Sequence, residues 1–196
     1  MLEINTTRGF CYRKGEFDMP DSYAGSQKKI TRESIFTALI IKLKKESFND
    51  ITITQLTKVA GVSRMAFYRN YITKEDIIIN YLDELFNEFV NEIKCSKIST
   101  RYDFALLYFS FFMNRNEIIE TLVNSGLSYI LFDSFSFNMS KFFMITPYSF
   151  LFKLEYNNYL AHYASAGLLS ILLAWIKNTK RESIEDMAKL IAEIPH

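Results

Sequence analysis

Two helix-start signals, Thr52 and Ser63, stand so close that the helix between them has room for little more than two turns. Thr52 is followed three residues on by Gln55. In that spacing the cap hydroxyl takes a backbone N–H of the helix, and the later side chain takes the cap's own N–H. Gly61 ends the helix, since glycine enters the left-handed backbone of a helix end without steric cost. Ser63 then opens another helix, reaching Asn70 or Tyr71. Two short helices joined by Ala60-Gly61-Val62-Ser63 bend into a helix-turn-helix, with Val62 filling the angle. Leu56, Val59, Val62 and Phe67 supply its small core, which leaves Arg64, Met65, Tyr68 and Arg69 facing outward.

The rest of the chain also reads as helix. Only three Pro and six Gly occur in 196 residues, which disfavours a turn-rich β architecture. A first helix is expected from about Thr31 to Glu46, burying Ile35, Ala38, Leu39 and Leu43. Thr73 with Asp76 opens a long helix to about Lys94, with Ile78, Leu82, Leu85, Phe89 and Ile93 on one stripe. Further helices are expected at about Tyr102–Met113, Glu117–Asn124 and Leu127–Met139. Pro147 punctuates a loop before helices at about Leu154–Lys177 and Ser183–Glu193. The apolar stretch Leu160–Ile176 includes His162, Ser165, Gly167 and Ser170, and reads as a buried core helix and not a membrane span. His162 is expected to be a hydrogen-bonded core histidine.

Charge divides the chain. Between Lys28 and Lys74 there are ten Lys/Arg against three Asp/Glu; from Glu75 to His196 there are ten against fifteen. A basic block ahead of an acidic one suggests a polyanionic partner for the first alone. Residues 1–27 show no period and read as a frayed arm. The N-terminus lacks the layout of a signal peptide, which points to the cytoplasm. Cys11 and Cys95 have no ligand spacing and no histidine cluster beside them, so neither a metal site nor a disulfide framework is indicated, and no cofactor motif occurs. An enzyme is disfavoured: there is no Gly-rich phosphate loop, nucleophile elbow or HExxH, and two histidines offer little acid–base capacity.

The joint spacing of Thr52, the Ala60-Gly61-Val62-Ser63 turn, Phe67-Tyr68 and Lys74 resembles the DNA-binding domain of tetracycline-repressor (TetR) family regulators over about residues 28–78. The resemblance implies an all-α fold with three parts: the arm 1–27, a three-helix helix-turn-helix DNA-binding domain over 28–74, and a helical effector-sensing and dimerisation domain over 75–196. It implies phosphate contacts from Tyr68, Lys74 and Thr52 or Thr54. Base contacts would come from Arg64 and Met65, a thymine-methyl contact from Ala66, and either kind from Arg69. The family usually carries His-Phe where this chain has Asn70-Tyr71. A cation at the position of Lys74 is opposed by the helix dipole, which favours an anion nearby.

Residues Tyr159 to Ile194, with Gly167, Trp175-Ile176 and Ser183-Ile184-Glu185-Asp186-Met187, resemble the closing helices of TetR-family regulators from low-GC Gram-positive bacteria. The resemblance implies a homodimer in which Ala161, Ala164, Gly167 and Leu168 allow close helix approach, and Leu172 and Trp175 add buried area. Between the two regions, Phe104, Tyr108, Phe112, Tyr129, Phe132 and Phe135 stand at helical spacings and are candidates to line an apolar effector pocket. Plain core packing is the alternative for such a stripe. Glu117, Glu120, Asp133 and Glu155 either balance a cationic effector or form solvated helix faces. The expectation is a dimeric repressor of a palindromic DNA operator, released by a small-molecule effector. The rival is a helical protein-interaction adaptor whose helix-turn-helix no longer reads a specific site.

Overall fold

The computed structural model describes residues 23–146, 148, 151, 158–178 and 181–194. These residues form nine helices: α1 (Tyr23–Leu43), α2 (Ile53–Ala60), α3 (Arg64–Tyr68), α4 (Glu75–Cys95), α5 (Arg101–Met113), α6 (Asn116–Asn124), α7 (Ser128–Ile145), α8 (Asn158–Lys177) and α9 (Ile184–Glu193). No strand occurs among them. The helical class and the order of elements agree with the sequence reading, and several boundaries do not; α1, for one, ends at Leu43 and not near Glu46. α1 starts at Tyr23, inside the expected arm, and within it the hydroxyls of Thr31 and Ser34 donate to the carbonyls of Gln27 and Ile30 four residues back. A threonine bonded that way sits inside a helix and does not cap one. α7 runs on to Ile145, because Met139, Phe142 and Phe143 extend its buried face.

The first three helices pack around Ile35, Leu39, Phe48, Ile51, Leu56, Phe67 and Tyr71, all nearly sealed from solvent. Val59, expected in this core, is 47% exposed. An eight-residue helix turns only Leu56 and Thr57 fully inward, and Val59 falls on its outer side beside Ala60, Ile30 and Ile41. α4 carries the small domain into the rest of the molecule. Its expected stripe, Ile78, Leu82, Leu85, Phe89 and Ile93, is buried throughout. α1 is fastened to it by a stack of Phe36 on Tyr81 at 3.8 Å between ring centres, and by Arg32, which donates to Glu84 at 2.9 Å and to Asn80. A second link, an ion pair from Lys44 to Glu117, joins the end of α1 to α6.

In the larger domain α5 packs chiefly on α9, and α7 on α8 and α4. Phe89 lies at the centre of this core, with the rings of Phe104, Tyr108, Phe111, Phe112 and Phe142 all between 5.3 and 6.5 Å of it. Ring pairs at such distances and mutual angles fill space and add edge-to-face attraction. Tyr108 is fully buried and donates its hydroxyl to the carbonyl of Leu168, while burial pushes its pKa well up. Arg101, at the start of α5, donates to the carbonyls of Ile191 and Ile194 and so closes the end of α9.

α8 differs from the expected buried helix. Tyr159–Lys177 is long and apolar enough to cross a membrane by length and composition, yet only 39% of it is buried. Ser165, Leu169, Leu172 and Ile176 face the core. Tyr159 (87% exposed) and Tyr163 (75%) lie on the opposite side with Ser170 and Ala174. His162 is exposed too, and is not a core histidine. Pro147, Glu155, Cys11 and most of the expected arm lie outside the described residues.

Candidate nucleic-acid interface

The turn forms as its residues dictate. Thr52 accepts a hydrogen bond from the N–H of Gln55 (3.2 Å), and the Gln55 side chain accepts from the N–H of Thr52 (2.7 Å). At the other end of α2, Gly61 takes φ 67° and ψ 27°. Its N–H reaches the carbonyl of Lys58 at 3.3 Å, and that of Val62 reaches Thr57 at 3.0 Å. This pair of bonds closes a helix on a left-handed residue, which explains why glycine stands there. Two residues later Ser63 caps α3, its hydroxyl accepting from the N–H of Ala66 at 3.0 Å.

α3 is shorter than expected, ending at Tyr68 with Arg69 as its cap. Phe67 is completely buried and Ala66 is 9% exposed, so these two anchor the helix. Arg64, Met65 (73% exposed), Tyr68 (51%) and Arg69 face solvent together. Ala66 therefore faces the wrong way for the expected thymine-methyl contact. It lies against the domain core, and its carbonyl accepts from the Asn70 side chain at 2.7 Å. Asn70 thus bonds the backbone one turn back at the position where the family resemblance would put histidine. Tyr71 holds the aromatic place with 4% exposure; burial raises its hydroxyl pKa to about 12, with Arg32 opposing the rise and Glu84 adding to it. Thr52 and Thr54 are exposed at the start of α2.

Lys74 is the surprise of the site. Its ammonium turns inward and donates to the carbonyls of Phe48 and Ile51, each at 2.7 Å, and to that of Asn49 at 3.4 Å. It also lies 4.7 Å from the centre of the Phe48 ring. The cation, opposed by the α4 dipole, finds acceptors within the protein and not an anion. They are peptide oxygens of the α1–α2 connection, where a phosphate was expected. Asp76 makes the pairing expected of it with Thr73, donating its own N–H to the Thr73 hydroxyl at 3.3 Å, whereas Arg32 escaped the sequence reading. Asp76 accepts the N–H groups of both Ile72 and Thr73 at 2.8 Å, fixing the path from α3 into α4. Arg32 finds its partners 48 and 52 residues away, and no local pattern announces such a contact.

The other candidate sites fare unevenly. Phe112 and Phe135 line a cavity of about 20 Å³ together with Leu82, Leu85, Leu131 and Leu172. That is room for about one water molecule. Phe104 and Tyr108 belong to the packed aromatic core. Tyr129 (56% exposed) and Phe132 (42%) point to solvent and not into that cavity, because α7 buries its other side. Of the expected dimer residues, Ala161, Leu168, Leu172 and Trp175 are buried in the chain's own core, at 4% exposure or less. Trp175 packs edge-on to Phe109 and donates to the carbonyl of Glu182. Side chains used that way are closed to a partner. Ala164 and Gly167 are half-buried. Glu117 pairs with Lys44 and Glu120 with Arg181, while Asp133 stays in solvent.

No family model matches the chain, and no curated protein matches it by sequence. Its shape does have relatives. Lin0861 of Listeria innocua superposes with a TM-score of 0.71 at 18% identity, covering 86% of this chain and 90% of its own. A TetR transcriptional regulator from Streptococcus agalactiae superposes with a TM-score of 0.63 at 20% identity, covering 86% of this chain and 95% of its own. Identities this low speak for architecture, and the architecture is plain: the chain has the TetR-like fold, a helix-turn-helix head on an all-helical body.

Proposed function

We propose that the protein is a sequence-specific DNA-binding transcriptional regulator, a repressor that binds a palindromic operator as a homodimer. One observation carries the reading. Arg64, Met65, Tyr68 and Arg69 are all presented to solvent on a capped helix whose remaining residues anchor it. A helix held so fits the major groove with its N-terminal side chains at the base edges. Arg64 and Met65 read bases, Tyr68 and Arg69 meet the backbone, and Thr52 and Thr54 hold phosphates at the start of α2. Such a regulator works in the compartment that holds the DNA.

A palindrome needs two recognition helices at fixed separation, about 34 Å for half-sites one turn apart. The outward face of α8, with Tyr159, Tyr163, Gly167, Ser170 and Ala174, is the surface we assign to the second copy, since its apolar side chains have no cover within the described chain. Release by an effector is a further part of the proposal. Ligand sites of drug size occupy about 300 Å³ or more. A molecule entering at Phe112 and Phe135 would therefore bind a second, opened conformation, and it acts only through its preference for that state. α4 supplies Leu82, Leu85 and Phe86 to the cavity wall and continues into the head, which makes it the lever.

The test is protection of the DNA upstream of this protein's own gene, titrated against salt. A palindromic footprint with a steep salt slope supports the reading. Uniform binding along any duplex, or none at low salt, sinks it at that promoter and leaves the adaptor. Tyr163→Glu should sediment as a monomer and lose the footprint; a dimer that survives this change moves the interface elsewhere.

A further inference from the structure

We infer that Lys74 is a positioning residue for DNA recognition, acting through the connection between α1 and α2 and not through a phosphate of its own. The inference rests on the DNA-binding reading above. Lys74 occupies the N-cap of α4 and makes no capping bond there with its side chain. An ammonium has three donors and no more. All three have protein oxygens within reach, on Phe48, Asn49 and Ile51, and the Phe48 ring covers one side of the charge. Charge-assisted bonds of this kind are the stronger class. A phosphate could take this ammonium only by undoing them.

What those bonds hold is informative. Phe48 and Ile51 are buried, at 5% and 1% exposure, so the connection is pinned from both its side chains and its carbonyls. The next residue after Ile51 is Thr52, the cap of α2. One peptide unit therefore separates a bond made by α4 from the start of the helix assigned to phosphate contact. On the same turn of α4, Asp76 grips the backbone of Ile72 and Thr73, which leads out of α3. Lys74 and Asp76 together yoke α2 and α3 to the first turn of α4. A shift of α4 then moves the two helices as one body, and without Lys74 the α2 end of that body is loose.

Lys74→Met and Lys74→Arg test this on the full-length protein, below the temperature at which either begins to unfold. The probe is the upstream DNA fragment, and backbone amide exchange is followed separately without DNA. We expect Lys74→Met to bind about tenfold more weakly, with an unchanged salt slope and faster exchange at residues 52–55. Arginine keeps the charge but replaces three diverging donors with a planar fork, so it should weaken binding as well.

A salt slope shallower by about 1.8 in Lys74→Met, as for one lost phosphate contact per subunit at about 0.9 each, would overturn the inference. So would wild-type affinity in folded Lys74→Met, which would mark a merely structural lysine, or wild-type affinity in Lys74→Arg with loosened amides. If the wild type itself gives no specific binding, the DNA reading fails on its own, and the exchange measurement alone decides the yoke: unchanged rates at 52–55 would refute it. Arginine also guards against a methionine variant that does not fold.

Discussion

The head and the body of this molecule are built by different means. In the head the helix ends from Thr52 to Asp76 are fixed by local groups: a capping box, a left-handed glycine, a serine cap, the Asn70 amide on the Ala66 carbonyl and a carboxylate on two amides. The body has caps of the same kinds, at Thr100, Gly126 and Ser183, but how its long helices meet is set by packing: Phe89 and the five rings around it join α4, α5 and α7. A structure specified by caps presents its surface residues at fixed positions, because the backbone is held whatever they are. A structure specified by packing absorbs its large side chains. The head is thus suited to reading another molecule, and the body to carrying the head.

Phe67→Ala and Phe89→Ala probe that contrast where the effect is largest. Each removes a fully buried ring, at a cost of about 3–5 kcal/mol. Phe67→Ala should abolish specific DNA binding and leave most of the helical circular dichroism, since only the small core collapses. Phe89→Ala should instead lower the melting temperature of the whole protein. Loss of all helicity on Phe67→Ala would mean that head and body are one cooperative unit, and the contrast would fall.

Arg64→Ala comes next. A base contact from an arginine discriminates by about 1–3 kcal/mol, so operator affinity should drop by about 10- to 100-fold with unchanged stability. Electrophoretic mobility shift checks the first and thermal melting the second. An unchanged affinity would remove Arg64 from the reading face.

Legibility followed the same division. The turn, its caps and the outward set Arg64, Met65, Tyr68 and Arg69 could be read from sequence because each depends on residues within four positions. Ala66 and Val59 were misjudged because an eight-residue helix and a five-residue helix leave too few turns for periodicity to separate the faces. In the body the buried stripe of α4 was readable, and the faces of α8 were not. Its apolar side chains occur all round, so the sequence reading assigns Leu172 and Trp175 to a partner and passes over Tyr159 and Tyr163. Only packing against α5 and α7 divides them. The inward turn of Lys74 was invisible for another reason: its acceptors are backbone carbonyls, which carry no sequence signature.

A smaller effect sharpens the comparison at matched chemistry. Thr52 caps the head and Ser183 caps α9 in the body, each hydroxyl accepting one backbone N–H. Alanine at either position should cost about 1 kcal/mol of stability. Thr52→Ala should also weaken DNA binding and Ser183→Ala should not. Equal losses of binding in both would show that the body's caps matter to recognition as much as the head's.

The smallest effect is acid sensitivity at the starts of α5 and α9. Asp103 accepts the N–H groups of Ser99 and Thr100, at 3.0 and 2.8 Å, and these bonds with the Thr100 hydroxyl hold its carboxyl below its ordinary value of 3.8. Asp186, at the head of α9, is lowered in the same direction, first by the Ser183 hydroxyl. A carboxyl whose pKa is lower in the folded chain stabilises the fold at pH above its unfolded value. That contribution disappears as pH falls through the folded value. Urea unfolding of the body should therefore weaken between about pH 5 and pH 2, and Asp103→Asn should lose less stability over that interval than the wild type. The amide keeps an oxygen for the two N–H groups but has no proton to gain. If the variant and the wild type fall in parallel, the cap at Asp103 contributes nothing to acid sensitivity, and the titrating groups that matter lie elsewhere in the chain.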